Sequence, residues 1–172
     1  MRHEQYSSGP VFLRAQPLIC VKATDAERPY RRYMSNGSTT VSSLPTPPVI
    51  SIVDDDASVR ASMNNFLRSL GYAVHTFGSA EEFLGSARLN DTSCVISDVQ
   101  MSPMNGFELL ANMRVRGYAV PFIFITAFPD ESVRARALLA GAASFLAKPF
   151  AMPKLVACLH AALASQGGNV GT

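Results

Sequence analysis

Five short apolar runs alternate with helical patterns between Val49 and Leu163, and this alternation constrains the fold more than any other feature of the chain. Such a succession is typical of βα units built around a parallel sheet. Four of the runs are continuously apolar, as expected for strands that are covered on both faces. The run Ala73–Phe77 is more mixed and is expected at an outer position of the sheet. The sequence therefore predicts an α/β fold with helices on both faces of a five-stranded parallel sheet.

Four of these runs end on polar residues that can handle a phosphoryl group. In chain order, the endings are Asp54 to Asp56, Asp98, Thr126 and Lys148. Because the carboxyl ends of parallel strands line one crevice, these residues are expected to converge there. Acids, a hydroxyl group and a lysine are together the parts that phosphoryl transfer by positioning and charge stabilisation requires. The joint pattern carries this inference, since Thr126 or Lys148 alone is ordinary at a strand end.

The adjacent carboxylates of Asp54 and Asp55 predict a cation site. Two like charges raise each other's pKa unless a cation lies between them. Mg²⁺ is favoured because it takes oxygen ligands and prefers one or two carboxylates together with a phosphate. Asp56 is better explained as a helix N-cap, where Asp is a favoured residue. Asp98 can be a third ligand and a nucleophile that forms an aspartyl phosphate, but taken alone it is equally typical of a turn.

Charge and cysteine content narrow the function classes. Residues 1–45 hold six Lys and Arg against three Asp and Glu, whereas residues 46–172 hold nine against ten. The part after residue 45 is thus near neutral, without the basic face of a nucleic-acid binder, so no nucleic-acid partner is expected.

The cysteines Cys20, Cys94 and Cys158 are odd in number and widely spaced, and the last two are expected to be buried free thiols. A reducing, cytoplasmic setting fits them best.

The first 45 residues show no sustained period and are expected to lie outside the fold. Pro10–Val21 is apolar but is interrupted by Arg14 and Pro17, and it falls short of the ~20 residues that a membrane span needs, so no membrane association is expected. Met34 lies just before a Ser-, Gly- and Pro-rich stretch, and residues 1–33 are interpreted as an over-extended start. The predicted organisation is a disordered extension, a folded domain and a flexible tail, at residues 1–45, 46–165 and 166–172.

Five segments together resemble the signature of two-component response regulator receiver domains, of the CheY-like superfamily, and within it receivers of the FixJ type. The segments are Val53–Asp56, Ile96–Met101, Asn105–Gly106, Ile125–Ala127 and Phe145–Phe150. Their order and spacing match the family from about residue 49 to residue 163. The resemblance implies a flavodoxin-like (βα)5 fold with strand order 2-1-3-4-5. It also implies a stand-alone signalling switch of a two-component system rather than an enzyme.

The resemblance implies a role for each acid of the crevice. Asp98 would be the phosphoacceptor and would also bind Mg²⁺. Asp55 would bind Mg²⁺ directly, Asp54 would act on it through water, and Gln100 would supply its backbone carbonyl.

Other residues would contact the phosphoryl group and pass on its presence. Thr126 and Lys148 would contact the phosphoryl oxygens, and the Lys148–Pro149 peptide bond would be cis. Phe145 matches the aromatic residue that swings inward when Thr126 is drawn toward the phosphoryl group. Autodephosphorylation is implied as well. Its rate is left open, because Phe128 could shield the acyl phosphate while Gln100 could orient the water.

The resemblance also implies partners. A histidine kinase or phosphotransfer protein would supply the phosphoryl group. Because no output domain is expected after Leu163, the output would come from binding a further protein, which the sequence does not identify, or from relaying phosphate. A phosphorylation-dependent dimer is compatible with this scheme.

Two alternatives belong to other function classes. A receiver-like interaction module could act constitutively without phosphorylation, although every chemical position is filled. A haloacid dehalogenase-type phosphatase is suggested by Asp54, Asp56 and Ser58, which match its nucleophile motif. That class carries its metal-binding acids after the lysine, and no acid follows Lys148 here, which argues against it.

Overall fold

The computed structural model describes residues 46–166, in which strands and helices alternate from the first strand to the last helix. The strands are β1 (Val49–Val53), β2 (Ala73–Phe77), β3 (Cys94–Asp98), β4 (Phe122–Thr126) and β5 (Ser144–Ala147). The helices are α1 (Ala57–Ser69), α2 (Ala80–Leu84), α3 (Gly106–Val115), α4 (Glu131–Leu139) and α5 (Met152–Ala164), with a short 3-10 helix (Ala87–Asp91) before β3. The predictions for residues 1–45 and for the tail from residue 167 onward lie outside the described residues. No helix within residues 46–166 combines the length and apolarity that crossing a bilayer demands.

The five strands form one parallel sheet in the order β2-β1-β3-β4-β5, so the predicted fold class and strand order are confirmed. The mixed strand β2 lies at an edge, as its composition predicted, and β3 lies at the centre. In the register of the sheet, Asp98 pairs with Ile125, and Thr126 pairs with Ala147. The residues that follow these strands therefore all leave the sheet at the C-terminal ends of its strands. We call this end of the sheet the carboxyl edge.

Two apolar cores cover the two faces of the sheet. Helices α1 and α5 pack on one face through Met63, Leu67, Leu155 and Leu159, all of which are fully buried. Helices α2, α3 and α4 pack on the other face, where the buried helical residues include Phe83, Leu109, Leu110, Met113 and Ala137. Each large apolar side chain buried in this way stabilises the fold by ~1.5–3 kcal/mol relative to an exposed one.

Side chains cap the N-termini of α1, α3 and α4 at the carboxyl edge. The Asp56 carboxylate accepts hydrogen bonds from the amides of Ser58 and Val59, at 2.8 and 3.3 Å, which confirms its prediction as the N-cap of α1. Asn105 caps α3 in a reciprocal capping box with Glu108. Asp130 caps α4 by accepting from the Ser132 amide. These caps hold the loops that carry the candidate site.

Within the described residues, Cys94 and Cys158 are free thiols that differ in exposure. Cys94 is fully buried in β3, and burial raises the pKa of its thiol to about 12. The prediction that Cys158 is buried is wrong, because it is half-buried on α5, where the Ser144 hydroxyl donates to its sulfur at 3.0 Å. The helical period placed Cys158 on α5 but did not show that it lies beside the inward stripe rather than within it.

Candidate functional site at the carboxyl edge of the sheet

Three carboxylates and one ammonium group meet where β1, β3 and β5 end. Oxygen atoms of Asp54, Asp55 and Asp98 all lie within 4.8 Å of one another. The Lys148 ammonium contacts Oδ2 of Asp98 at 2.6 Å and Oδ2 of Asp54 at 2.9 Å. The structure thus brings together residues that are up to 94 positions apart in the sequence.

Asp54 is the buried acid of this group. Its side chain is fully buried, and its Oδ1 accepts a hydrogen bond from the Asp56 amide at 2.8 Å. Burial raises the pKa of the Asp54 carboxyl above its usual range, and the hydrogen bonds from Lys148 and from the Asp56 amide offset only part of that rise. A cation close to this carboxylate is therefore favoured.

Lys148 supplies a positive charge to two acids at once. Burial acts to lower the pKa of its ammonium group, but the hydrogen bonds to Asp98 and Asp54 outweigh burial, and the pKa lies above its ordinary value. Lys148 is therefore charged across the physiological range. Its peptide bond to Pro149 is cis, as is the bond between Ser102 and Pro103.

Asp98 is held at the centre of the sheet with one side open to the crevice. It is 7% exposed, and its Oδ1 accepts from the Gln100 amide at 3.0 Å. The Ser97 hydroxyl donates to the Asp98 carbonyl oxygen at 2.8 Å, and the Val99 amide donates to the Ile125 carbonyl at 2.9 Å. This backbone support gives the carboxylate a fixed direction, as a nucleophile that reacts by positioning requires.

Gly106 allows the loop after Asp98 to close tightly. A Cβ atom at Gly106 would press into the Asp98 carbonyl oxygen and would lie 3.0 Å from the Phe124 ring. The Gly106 amide donates to the Val99 carbonyl oxygen at 3.0 Å. The pair Asn105–Gly106 therefore caps α3 and lets its first turn rest on the backbone of the phosphoacceptor candidate.

Thr126 connects the site to the loop that leads into α4. Its side chain is fully buried, and its hydroxyl oxygen accepts from the Phe128 amide at 3.1 Å. Its carbonyl oxygen accepts from the Lys148 amide at 2.7 Å. Phe145 lies half-buried beside a neighbouring groove that Arg134 and Lys154 also line. A change in the direction of the Thr126 hydroxyl would thus pull directly on the loop at Phe128.

A larger groove, of about 510 Å³, opens beside Asp55 between the loop after β3 and helix α4. Gln100 and Ser102 line it, and so does Arg136, whose guanidinium carbon lies 4.3 Å from the centre of the Phe107 ring. Of the three clustered acids, Asp55 is the one that lines this groove.

Two arginines near the site have no role in the sequence-based prediction. One is Arg136, and the other is Arg60. Arg60 lies in the first turn of α1 and donates to the Asp54 carbonyl oxygen at 2.5 Å. The helix dipole disfavours a cation at a helix N-terminus, and this mismatch was the available sequence signal for Arg60.

The donor set of the cluster fits Mg²⁺. Three carboxylates within reach of one another offer only oxygen ligands, and Asp55 is exposed, so water can complete the coordination that Mg²⁺ prefers. Lys148 already neutralises part of the charge of Asp54 and Asp98. Among the ion pairs described for residues 46–166, Asp55 has no cation partner, so a bound ion could balance its charge.

Comparisons with known proteins agree with this geometry. The model of the "Response regulator receiver domain" family matches residues 50–160. The transcriptional regulatory protein TdiR of Thauera aromatica is 39% identical over 113 residues, which cover 66% of this chain and 50% of TdiR. The transcriptional regulatory protein FixJ of Bradyrhizobium diazoefficiens is 36% identical over 114 residues, which cover 66% of this chain and 56% of FixJ.

Solved structures give the same result. The crystal structure of FixJ-N superposes with a TM-score of 0.62 at 34% identity, covering 68% of this chain and 94% of that one. Vibrio cholerae chemotaxis protein CheY4 superposes with a TM-score of 0.64 at 29% identity, covering 68% of this chain and 99% of that one.

The comparisons also bear on the partner predictions. This chain spans about half the length of the curated relatives TdiR and FixJ. Both relatives are named as transcriptional regulatory proteins, so the prediction that this protein has no nucleic-acid partner finds no support in them. The near-neutral charge after residue 45 describes one segment and does not decide what the whole protein contacts.

Proposed function

The chain belongs to the response regulator receiver family, and from this membership we propose that it is a phosphorylation-activated switch whose phosphoacceptor is Asp98. Receiver domains are signalling modules rather than enzymes in the usual sense, so the proposal concerns a change of state and not turnover of a substrate. The observation that carries it is the cluster of Asp54, Asp55 and Asp98 with Lys148 bonded to two of its members.

The transfer itself requires little covalent chemistry from the protein. A carboxylate oxygen of Asp98 would attack phosphorus as the bond from phosphorus to the donor breaks. The donor would be a phosphohistidine of a kinase or phosphotransfer protein. As its P–N bond breaks, the imidazole nitrogen would keep the bonding electron pair and take up a proton from solvent. The product is an acyl phosphate on Asp98.

The residues around Asp98 would stabilise the charge of the phosphoryl group. Mg²⁺ would be held by Asp55, Asp98 and the backbone carbonyl of Gln100, with Asp54 acting through water, and it would supply positive charge to the phosphoryl oxygens. Lys148, now on the Asp98 carboxylate at 2.6 Å, would transfer its hydrogen bond to a phosphoryl oxygen. The Thr126 hydroxyl would donate to another.

Phosphorylation would then change the surface near α4. The Thr126 hydroxyl accepts a hydrogen bond from the Phe128 amide. Rotation of the Thr126 side chain toward the phosphoryl group would therefore move the loop after β4. Phe145 would follow into the space that the loop leaves. The altered surface, which includes Arg134, Phe145 and Lys154, would change the affinity for a partner. Autodephosphorylation by water, which Gln100 and Phe128 flank, would reset the switch.

The test is a mass measurement. Incubation of the protein with Mg²⁺ and acetyl phosphate is expected to add ~80 Da, the mass of one phosphoryl group. Asp98→Asn is expected to abolish the adduct. Asp91→Asn, which also removes one carboxylate but from an exposed ion pair with Arg88, should leave it intact.

Two results would contradict the proposal. An adduct that survives Asp98→Asn would refute the assignment of the phosphoacceptor. A complete lack of adduct, from small donors and from kinases alike, would favour a constitutive interaction module instead.

A further inference from the structure

We propose that Arg60 is a positioning residue that sets the affinity of the site for Mg²⁺ by holding the peptide between Asp54 and Asp55. This inference rests on the proposed function, because it assumes that the acid cluster binds the ion. Its first support is the hydrogen bond of 2.5 Å from the Arg60 guanidinium to the Asp54 carbonyl oxygen. The bond joins the first turn of α1 to the end of β1.

The contacts of Asp54 show what Arg60 adds. The Asp54 amide donates to the Phe77 carbonyl oxygen in the neighbouring strand at 3.2 Å. Its two carboxylate oxygens accept hydrogen bonds from the Asp56 amide and from the Lys148 ammonium group. These contacts fix the amide and the side chain of Asp54. The carbonyl, which belongs to the same peptide as the Asp55 amide, is held by Arg60.

That peptide determines where Asp55 points. The Asp55 side chain is exposed, and within residues 46–166 it has no hydrogen-bond partner of its own. The backbone dihedral angles on either side of Asp55 set the direction of its Cα–Cβ bond, and hence the region that its carboxylate can reach. Arg60 fixes the carbonyl on one side, and the amide of Asp56, bonded to Asp54 Oδ1, fixes the other.

The position of Arg60 is otherwise unfavourable. A cation near a helix N-terminus opposes the helix dipole, and a cation near a metal site repels the metal ion. Its charge favours the clustered acids only while no metal ion is bound, so charge alone cannot aid binding of the ion. The geometry instead points to directional support, of the kind that orients metal ligands from outside the coordination sphere.

Charge and positioning predict opposite signs when Arg60 is replaced. Arg60→Met removes one positive charge near the acids, so electrostatics alone predicts tighter binding of Mg²⁺. Loss of positioning predicts weaker binding, by ~10-fold on the scale of other residues that support metal ligands. We expect the weaker binding, and we expect Arg60→Lys, which keeps a charged donor, to recover most of the affinity.

Arg68→Met is the matched control. Arg68 lies on the same helix, roughly 12 Å further along its axis, and it donates to the Val74 carbonyl oxygen at 2.8 Å. Its replacement removes the same charge and a comparable hydrogen bond to a backbone carbonyl, together with a hydrogen bond of 2.8 Å to the Asn64 side chain. It should leave the affinity for Mg²⁺ close to that of the unmodified chain.

The experiment is titration of the unmodified chain and the three variants with MgCl₂, measured by calorimetry and by the amide resonance of Asp55. Circular dichroism shows that each variant is folded at the temperature of the titration. As a second measurement, adduct formation from acetyl phosphate by Arg60→Met should be slow at limiting Mg²⁺ and should return to the unmodified rate at saturating Mg²⁺.

The outcomes separate this inference from the proposed function. Unchanged or tighter binding in Arg60→Met, or an equal loss in Arg68→Met, would overturn the role of Arg60 while leaving the phosphoacceptor in place. An unmodified chain that binds no Mg²⁺ would overturn both.

Discussion

Asp54 and Asp56 lie two residues apart, yet their carboxyl groups have pKa values displaced in opposite directions. Burial raises the pKa of Asp54. Hydrogen bonds from the Ser58 hydroxyl and from the amides of Ser58 and Val59 lower the pKa of Asp56. The charge of Asp54 is thus disfavoured because its side chain is buried at the carboxyl edge, whereas the charge of Asp56 stabilises a helix because Asp56 caps α1.

The two acids should therefore affect stability with opposite signs. In EDTA at pH 7, Asp54→Asn is expected to raise the free energy of unfolding, since it removes a charge that burial disfavours. Asp56→Asn is expected to lower it, since it removes a charge that the helix N-terminus favours. Urea denaturation at several pH values measures both.

The pH dependence follows from linkage. A carboxyl whose pKa is raised in the folded state binds more protons when the chain is folded. The charged Asp54 carboxylate therefore lowers the free energy of unfolding at high pH, and this loss disappears as pH falls through the raised pKa toward the unfolded value near ~3.9. The contribution of Asp56 is present above ~3.9 and is lost as pH falls through its lowered pKa. In acid, the free energies of unfolding of both variants should approach that of the unmodified chain. Changes of the same sign in the two variants at pH 7 would contradict this account.

At the scale of elements, β3 and α3 meet in a close backbone contact. The first turn of α3 rests on the backbone of Asp98 at Gly106, where no side chain fits. The capping box of Asn105 and Glu108 fixes the direction in which the helix leaves. The helix that follows Asp98 is thus placed by backbone contact.

Gly106→Ala should destabilise the protein by about 1–3 kcal/mol, the usual cost of forcing extra volume into a packed site. Gly85→Ala is the control, because Gly85 ends α2 with φ of −88° and a Cβ there would make ordinary contact, 3.4 Å from the Glu81 carbonyl oxygen. Its effect should be small, and urea denaturation compares the two. Equal losses would show that Gly106 is required for reasons other than space.

Helix α4 contrasts with this junction. Ala137 is its only fully buried residue, whereas Leu138 and Leu139 are 54% and 89% exposed. A helix with so small a buried face has few packing interactions to lose when it shifts. Helix α4, which follows the Thr126 loop, is therefore expected to shift at little cost in packing.

At the scale of the whole molecule, the site and the surface near α4 are joined through Thr126. The residue is buried at the end of β4, and its hydroxyl holds the Phe128 amide. Addition of beryllofluoride and Mg²⁺, which mimic phosphorylation, is therefore expected to shift the amide resonances of Phe128 and Phe145. The edge strand β2 is separated from β4 by β1 and β3 and should change little.

Two variants examine this coupling. Thr126→Val keeps the shape of the side chain without the hydroxyl group and should abolish the shift at Phe145, whereas Thr126→Ser should retain it. A shift at Phe145 that persists in Thr126→Val would show that the signal travels by another route.

The sequence by itself determined which residues could share a site. The alternation of apolar runs and helical patterns depends on local spacing, so it predicted the parallel sheet and the polar endings of its strands. The resemblance to receiver domains then supplied the strand order, and the structure confirmed it. Asp56 was recognisable as a cap because a cap interacts with its own helix.

Only the tertiary structure decided how these residues act on one another. The bonds of Lys148 to Asp54 and Asp98, the contact of Gly106 with the Asp98 backbone and the bond of Arg60 to the Asp54 carbonyl all depend on how separate segments pack. The exposure of Cys158 depended on packing in the same way. Local spacing fixes the edge at which a side chain leaves a strand, but distances between side chains follow from the register and packing of strands that lie far apart in the chain.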